Sequence, residues 1–417
     1  MAKIIYVHAV MLSYNNMTSK HVKPRCPYYG TCGGCQLQHI AYEDQLELKT
    51  GLVREAMEKH GVAGTRVEPT LGMKDPWFYR NKMQFPIRSQ NNRLQMGYFK
   101  QKTHEVVNIK ECYIQDPFLT ESAQIAREIF EERGLTAYDE KTGQGLLRHF
   151  IGRSGFQTHE LLLGIVINGK GIPAGFTVAD EIKKRERLLH RQVSRHQNYP
   201  EYEGKRRIVG IIQNINTVRS NVIMGNHNTK LLGIPFMMEK LGGFTFKVGL
   251  LSFFQVNPLQ AERLYDLVEK FAELTGTEKV VDAYAGIGTI AFWLSKKAGE
   301  VVGIEERPEA VKDARQNITL NELTKVRMEA GLIEKTFPGK ADVVVLDPPR
   351  GGCSEKALKV TVRARPRIII YVSCNPETLA RDLKALTQHN YRIEKVQPID
   401  MFPQTEHVEV VVKLRLS

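Results

Sequence analysis

The sequence has no long hydrophobic run. Its longest apolar stretches, Leu161–Ile167 and Val343–Leu346, fall far short of the ~20 residues needed to span a bilayer. A helical membrane protein is excluded, and no membrane partner is expected. Ile4–Leu12 follows one lysine but is short, contains His8 and leads to no small-residue cleavage site, so it does not read as a secretory signal. A cytoplasmic protein is expected. Internal repeats and low-complexity tracts are also missing, which excludes solenoids and leaves no compositional case for disorder. Hydrophobic residues make up 42 % of the chain and charged residues 25 %, ordinary values for globular proteins. Its 417 residues allow two to four domains, at roughly 100 to 200 residues each.

Acidic residues are scarce only in the first three-fifths. Residues 1–250 carry 35 basic and 23 acidic side chains, and residues 251–417 carry 24 and 23. Nearly all of the net charge of +13 therefore sits in one part of the chain, as expected if that part holds a polyanion while a neutral domain does chemistry. The densest run is Lys183, Lys184, Arg185, Arg187, His190, Arg191, Arg195 and His196, on a segment with helical spacing of Leu188, Leu189 and Val193.

Cysteine is sparse, with six in all, yet three crowd into CPYYGTCGGCQLQH as Cys26, Cys32 and Cys35. In a cytosolic chain such clustering points to a metal site before disulfides. Gly30, Gly33 and Gly34 let the backbone fold closely around a small object,, and Cys112 offers a distant fourth thiolate. Four sulfurs suit tetrahedral zinc or an iron-sulfur cluster. The spacing matches neither paired C-x2-C zinc ribbons nor the C-x3-C-x2-C of radical-generating clusters.

Beyond this segment, residues 41–60 have helical periodicity,. Residues 66–250 mix strands (83–88, 96–99, 161–167, 208–215, 244–250) with helices (119–133, 180–196), an α+β pattern,. From Thr277 strands and helices alternate strictly. Strands at 279–284, 301–305, 341–347 and 367–373, helices at 287–297, 308–321, 355–363 and 376–388, and a closing strand at 407–414 predict an α/β fold with a doubly wound, mostly parallel sheet,. Such sheets bind ligands at the carboxyl ends of their strands.

The notable residues fall at those ends. Asp282-Ala-Tyr-Ala-Gly-Ile-Gly-Thr289 enters a helix after the first strand. Its two glycines permit close backbone approach but lack the third glycine of the dinucleotide fingerprint, so NAD and S-adenosylmethionine (SAM) both remain open. Glu305 ends the second strand, 17 residues after Gly288, where a carboxylate accepts from ribose hydroxyls. In Asp347-Pro-Pro-Arg350 the prolines fix the backbone after an acid able to accept from a nucleobase N–H. Amino-directed methyltransferases carry an aromatic residue where Arg350 stands, which argues against exocyclic-amine methylation. Ser373-Cys374-Asn375-Pro376 sets a cysteine before a helix N-terminus, a position that favours a thiolate. Methylation at C5 of a pyrimidine needs such a nucleophile, because C5 becomes reactive only after a thiolate adds to C6.

These segments, with SFFQVNP (252–258), YVSCNPETLARDL (371–383) and FPQTEHVEVV (402–411), resemble the SAM-dependent RNA uracil-5-methyltransferases that carry a [4Fe-4S] cluster, of the 23S ribosomal RNA type. The likeness spans roughly Cys26 to the C-terminus. It implies a Rossmann-like class I methyltransferase domain at 251–417 behind an α+β central lobe at 24–250 that carries the iron-sulfur site, with the helix at about 41–60 packing on the catalytic domain. It further implies that Cys26, Cys32, Cys35 and Cys112 ligate the cluster, that Gln255, Tyr284, Thr289, Glu305 and Asp347 line the SAM and uridine sites, and that Cys374 is the nucleophile and Glu409 the general base. Phe253 or Phe254 would stack on the target base. Such enzymes commonly begin with an RNA-binding TRAM domain, of which residues 1–23 are expected to be a remnant, with Ile4–Met11 as its last strand. The expected activity is that of a monomeric 23S rRNA (uracil-5-)-methyltransferase, with a transfer-RNA uracil-5-methyltransferase as the alternative. Cys353 is assigned no role.

Overall fold

A computed structural model describes residues 20–62, 64–200 and 205–417, which form two compact units. The expected strand at Ile4–Met11 lies outside the described residues. Residues 24–36 and 77–258 form the first unit, and residues 37–76 and 259–417 belong to the second. The single boundary anticipated at 250 is thus replaced by a discontinuous division. Helix α1 (Tyr42–Lys59), expected to fall within the central lobe in sequence but to pack on the catalytic domain, is part of the second unit.

The first unit is built on a seven-stranded sheet of β1 (Lys82–Gln90), β2 (Arg93–Phe99), β3 (Val106–Asn108), β4 (Leu147–Ser154), β5 (Glu160–Ile167), β6 (Arg207–Ile215) and β7 (His227–Gly233), ordered β3-β2-β1-β4-β5-β6-β7. Neighbours are antiparallel except β5 and β6. That parallel pair needs a crossover, supplied by α3 (Gly175–Lys184) and α4 (Glu186–Arg195). α2 (Pro117–Glu132) packs against β1, β2 and β4. Its first turn is fixed by Asp116, which accepts from Phe118 N at 2.9 Å, an N-cap contact. β8 (Phe236–Leu241) and β9 (Phe244–Gly249) form a separate hairpin.

Three sequence expectations change here. The single helix at 180–196 is two helices that break at Arg185. β3, β7 and β8 were not anticipated. Neither was β4, because LRHFIGRS places Arg148, His149 and Arg153 in a strand that is buried along its whole length. Its arginines are accommodated by backbone carbonyls: Arg148 Nη1 donates to Asn216 O at 2.6 Å and Arg153 Nε to Leu250 O at 3.3 Å. Buried guanidinium groups need such acceptors.

The second unit continues with α5 (Pro258–Ala272), β10 (Lys279–Ala283), α6 (Thr289–Ser295), β11 (Glu300–Glu305), α7 (Pro308–Leu320), β12 (Val326–Ala330), α8 (Ile333–Thr336), β13 (Val343–Leu346), α9 (Glu355–Arg363), β14 (Ile368–Ser373), α10 (Pro376–Thr387), β15 (Tyr391–Ile399) and β16 (Glu409–Leu416). Its sheet order is β12-β11-β10-β13-β14-β16-β15, and β16 is antiparallel to both of its neighbours. β13 and β14 are buried throughout, as strands covered on both faces are. Chain order reverses between β10 and β13, which opens a crevice at the carboxyl edge,. β12 and β15, whose apolar residues alternate with charged ones, were not foreseen as strands.

α1 joins this core through Val53, Ala56 and Met57, in one cluster with Leu379 and Leu383 of α10. It also carries a buried ion pair. Lys49 Nζ lies 2.5 Å from Asp400 Oδ1, with neither side chain exposed, and Asp400 also accepts from Tyr42 Oη at 2.9 Å. Burial pushes the Lys49 ammonium below its usual range while Asp400 opposes that shift. Removing one partner strands the other charge in the core and costs about 3–5 kcal/mol, whereas replacing both with apolar groups is often neutral. Chemical denaturation should therefore show Lys49→Met and Asp400→Leu each strongly destabilised, with the double variant recovering most of the loss.

Candidate active site

Strand register brings the predicted residues to one edge of the second unit's sheet. Ser373, the last residue of β14, pairs with Val410 of β16, so Cys374 follows directly beside Glu409. Leu346 of β13 pairs with Tyr371 of β14 and with Ala283 of β10. Asp347 and Tyr284 therefore leave their strands together, and Asp347 N donates to Ala283 O at 3.4 Å. Glu305 ends β11, on the other side of β10.

The edge is crowded with acids. Asp282 and Glu409 are buried, and Asp347 and Cys374 are half-buried. Burial and then the Asp347 charge hold both the Asp282 and Glu409 carboxyls well above the carboxylate range. Desolvation pushes Asp347 up to about 7. Cys374 is pushed up to about 11, first by desolvation and then by Glu409, with Asp347 adding to the shift and Arg350 opposing it. This corrects the expectation of a resting thiolate: burial among carboxylates outweighs the helix N-terminus. The resting site holds Cys374 as a thiol and favours the protonated forms of Asp282 and Glu409, while Asp347 lies near its midpoint at neutral pH.

Arg350 is the cation facing this cluster, and α10 sets its position. Arg350 O accepts from Asn375 Nδ2 at 3.0 Å and Thr378 Oγ1 at 3.2 Å, while Arg350 Nη2 lies 3.4 Å from His407 Nδ1. Behind it, Asp382 Oδ2 accepts from Cys353 N at 2.8 Å and Tyr371 Oη at 2.6 Å. Cys353 thus has a structural place that the sequence did not suggest.

The glycine turn forms a cradle for a ligand. Tyr284 and Gly286 adopt left-handed φ values of 69° and 57°, and a Cβ on Gly286 would meet nothing within 4 Å. Backbone is therefore open to close approach there. Glu305 clamps the turn, accepting from Gly286 N at 2.9 Å and from Arg307 N at 2.8 Å. Thr289 Oγ1 accepts from Tyr265 Oη at 3.0 Å. The Tyr284 hydroxyl engages Cys353, so this side chain braces the turn from beneath. Asp282, quoted in the sequence only as the start of the turn motif, is a residue the reading missed. Its carboxyl is fully buried, and the Ala291 backbone N–H is the one polar group that favours its charged form.

Gln255 lies in the first unit, buried, with its carbonyl accepting from Asn81 Nδ2 at 3.2 Å. The two aromatic candidates beside it separate clearly. Phe254 is 2 % exposed and packs 5.7 Å from the Phe246 ring, whereas Phe253 is 63 % exposed. Phe254 is a core residue.

The four predicted cluster cysteines also lie in the first unit. Buried Cys112 feels the charges of Cys35, Cys32 and Cys26, and Cys32 is pushed up to about 11 by burial. Gly33 permits this folding, since a Cβ there would meet Phe99 O at 2.9 Å. Among the described residues, however, no three His, Cys, Asp or Glu side chains are arranged as ligands of one metal ion. The thiols gather without forming a closed coordination shell.

Comparison with known proteins places this geometry. Residues 242–416 match the family described as tRNA (Uracil-5-)-methyltransferase. An RNA methyltransferase of Bacillus cereus is 41 % identical over 94 % of this chain and 83 % of its own length, and one of Listeria monocytogenes is 39 % identical over 100 % and 90 %. The Pyrococcus abyssi tRNA (uracil-54, C5)-methyltransferase, solved with S-adenosyl-L-homocysteine, superposes with a TM-score of 0.72 at 29 % identity, covering 92 % of this chain and 86 % of that one. The chain belongs to the RNA uracil-5-methyltransferase family. Its α/β unit is accordingly a Rossmann-like, SAM-dependent methyltransferase fold, and its substrate is RNA. No helix among the described residues is long and apolar enough to cross a membrane.

In an RNA uracil-5-methyltransferase the state of Cys374 is directly measurable. Iodoacetamide labelling of Cys374 in the free enzyme should be slow at neutral pH and rise towards a midpoint near 11. Arg350→Ala should move that midpoint up, because a cation is lost, and Glu409→Gln should move it down, because an anion is lost. A midpoint near 8 in the wild-type enzyme would contradict the buried-acid account.

Proposed function

We propose that this enzyme methylates C5 of a uridine in 23S ribosomal RNA through a covalent Cys374 adduct, and that Cys26, Cys32, Cys35 and Cys112 hold a [4Fe-4S] cluster. The observation that carries the reaction is the meeting of Cys374, Glu409 and Asp347 at the sheet edge beside the glycine turn. The all-sulfur donor set around Cys112 supports the cluster, and the same set favours the ribosomal type. Its part is to pin the cysteine loop rather than to transfer electrons.

The uridine is flipped from its stack, because C6 is out of reach while the base is stacked. Asp347 hydrogen-bonds the edge of the ring. Cys374 releases its proton to solvent and Sγ bonds to C6, which opens the C5=C6 bond and moves its electron pair to C5 and the O4 enolate. Arg350, which lowers the thiol pKa, favours the attacking thiolate. SAM supplies an electrophilic methyl group to C5. Glu409, as the carboxylate, then takes the C5 proton, the Sγ–C6 bond breaks and the double bond reforms. Tyr284, Thr289 and Glu305, together at the sheet edge, hold the methyl donor.

A second reading, transfer RNA as substrate, is supported by the likeness to the Pyrococcus abyssi enzyme. Both readings are tested with anaerobically purified enzyme, SAM and 5-fluorouridine transcripts of ribosomal and transfer RNA, resolved on denaturing gels. Fluorine cannot leave as a cation, so the adduct persists. The expected result is a SAM-dependent band with 23S fragments that is lost in Cys374→Ala, from a preparation whose iron and sulfide approach four each per chain and fall in Cys112→Ser. A band with transfer RNA alone would select the second reading. No band with any RNA would overturn the covalent mechanism.

A further inference from the structure

The basic run singled out in the sequence is divided by the fold into two sets with different fates. Lys183 pairs with Glu186 at 2.8 Å, Lys184 with Asp180 at 2.6 Å, Arg185 with Glu132 at 2.6 Å and His196 with Glu111 at 3.1 Å, while His190 packs edge-on against the Phe118 ring. Arg187, Arg191 and Arg195 remain. All three are exposed, and no hydrogen bond or ion pair engages them among the described residues. They recur every fourth residue on α4. At 100° per residue they cover about 80° of the helix surface, centred opposite Leu189 and Val193, and successive arginines are about 6 Å apart along the axis.

We propose that this arginine stripe on α4 docks the phosphate backbone of the RNA substrate. Three like charges on one face with no partner among the described residues repel one another, a polyanion relieves that repulsion, and guanidinium groups suit phosphate geometry,. An acidic membrane is the weaker occupant. A membrane-surface helix inserts its apolar face, whereas Leu189 and Val193 are only 0 % and 3 % exposed, already covered by protein. The stripe also has a rigid mount. Beyond the C-terminal end of α4, Arg25 Nη2 donates to Asn198 O at 2.9 Å, its guanidinium lies 4.9 Å from the Tyr113 ring centre, and His196 stacks on Tyr199 at 3.9 Å. Arg25 and Glu111 adjoin Cys26 and Cys112 in sequence, so the cysteine loop holds the end of the helix that carries the stripe.

The inference rests on the RNA-methylation reading, and its test separates the two. The full-length enzyme and the Arg187→Gln/Arg191→Gln/Arg195→Gln variant are compared for binding to a labelled 23S fragment over a salt series, and for methylation over a range of RNA concentrations up to saturation. Each lost phosphate contact lowers the slope of log K against log salt by about 0.7 and weakens binding about fivefold at 0.1 M salt. The expected result is a slope smaller by about 2, binding weaker by about 100-fold, a raised KM and an unchanged kcat, with Lys184→Gln as a neutral control. A wild-type enzyme that methylates RNA beside a variant with unchanged slope and KM overturns the docking surface but leaves the reaction intact. Loss of binding to anionic vesicles with RNA binding unchanged assigns the stripe to membranes and also overturns it. A wild-type enzyme that neither binds nor methylates RNA defeats the underlying reading and this inference together.

Discussion

Three carboxyls and a thiol share one desolvated sheet edge, and they cannot all be ionised there together. Asp282, Asp347 and Glu409 are each held above the ordinary carboxylate range, and Cys374 is held up with them. Desolvation, with the Asp347 charge adding to it at Asp282 and Glu409, favours the protonated forms of these groups in the resting enzyme,. A cation placed among these groups reverses that balance.

The surrounding structure serves to hold that edge in register. The antiparallel insertion of β16 between β14 and β15 is what brings Glu409 beside Cys374. Were β16 parallel to β14, its first residue would lie at the opposite edge of the sheet. α10 then ties Arg350, Cys353 and Asp382 into one frame under the site. α1, far away in sequence, is drawn into the same unit by Lys49–Asp400 and by its apolar contacts with α10. In the first unit the division of labour is one of charge. Most of the basic run is neutralised locally, and three arginines are left on an outer face.

The sequence by itself determined much of this. Strict alternation of strands and helices after Thr277 specified the doubly wound sheet, because strands buried on both faces must be apolar throughout and their crossovers must be helical. Motif positions at strand ends located Tyr284, Glu305, Asp347 and Cys374 at one edge, since parallel strands share a direction. What only the tertiary structure decided were quantities set by neighbours distant in the chain. The protonation of Cys374 depends on Glu409 and Arg350, which local helix-terminus reasoning does not weigh. The burial of β4 depends on carbonyls at Asn216 and Leu250 that accept from its arginines, so its polar letters misled. The burial of Asp282, the exposure of Phe253 against the burial of Phe254 and the exposure of Arg187, Arg191 and Arg195 likewise follow from packing. Residue type and spacing set which groups can meet at an edge, but their charge and availability are fixed by solvation, which is a property of the folded whole.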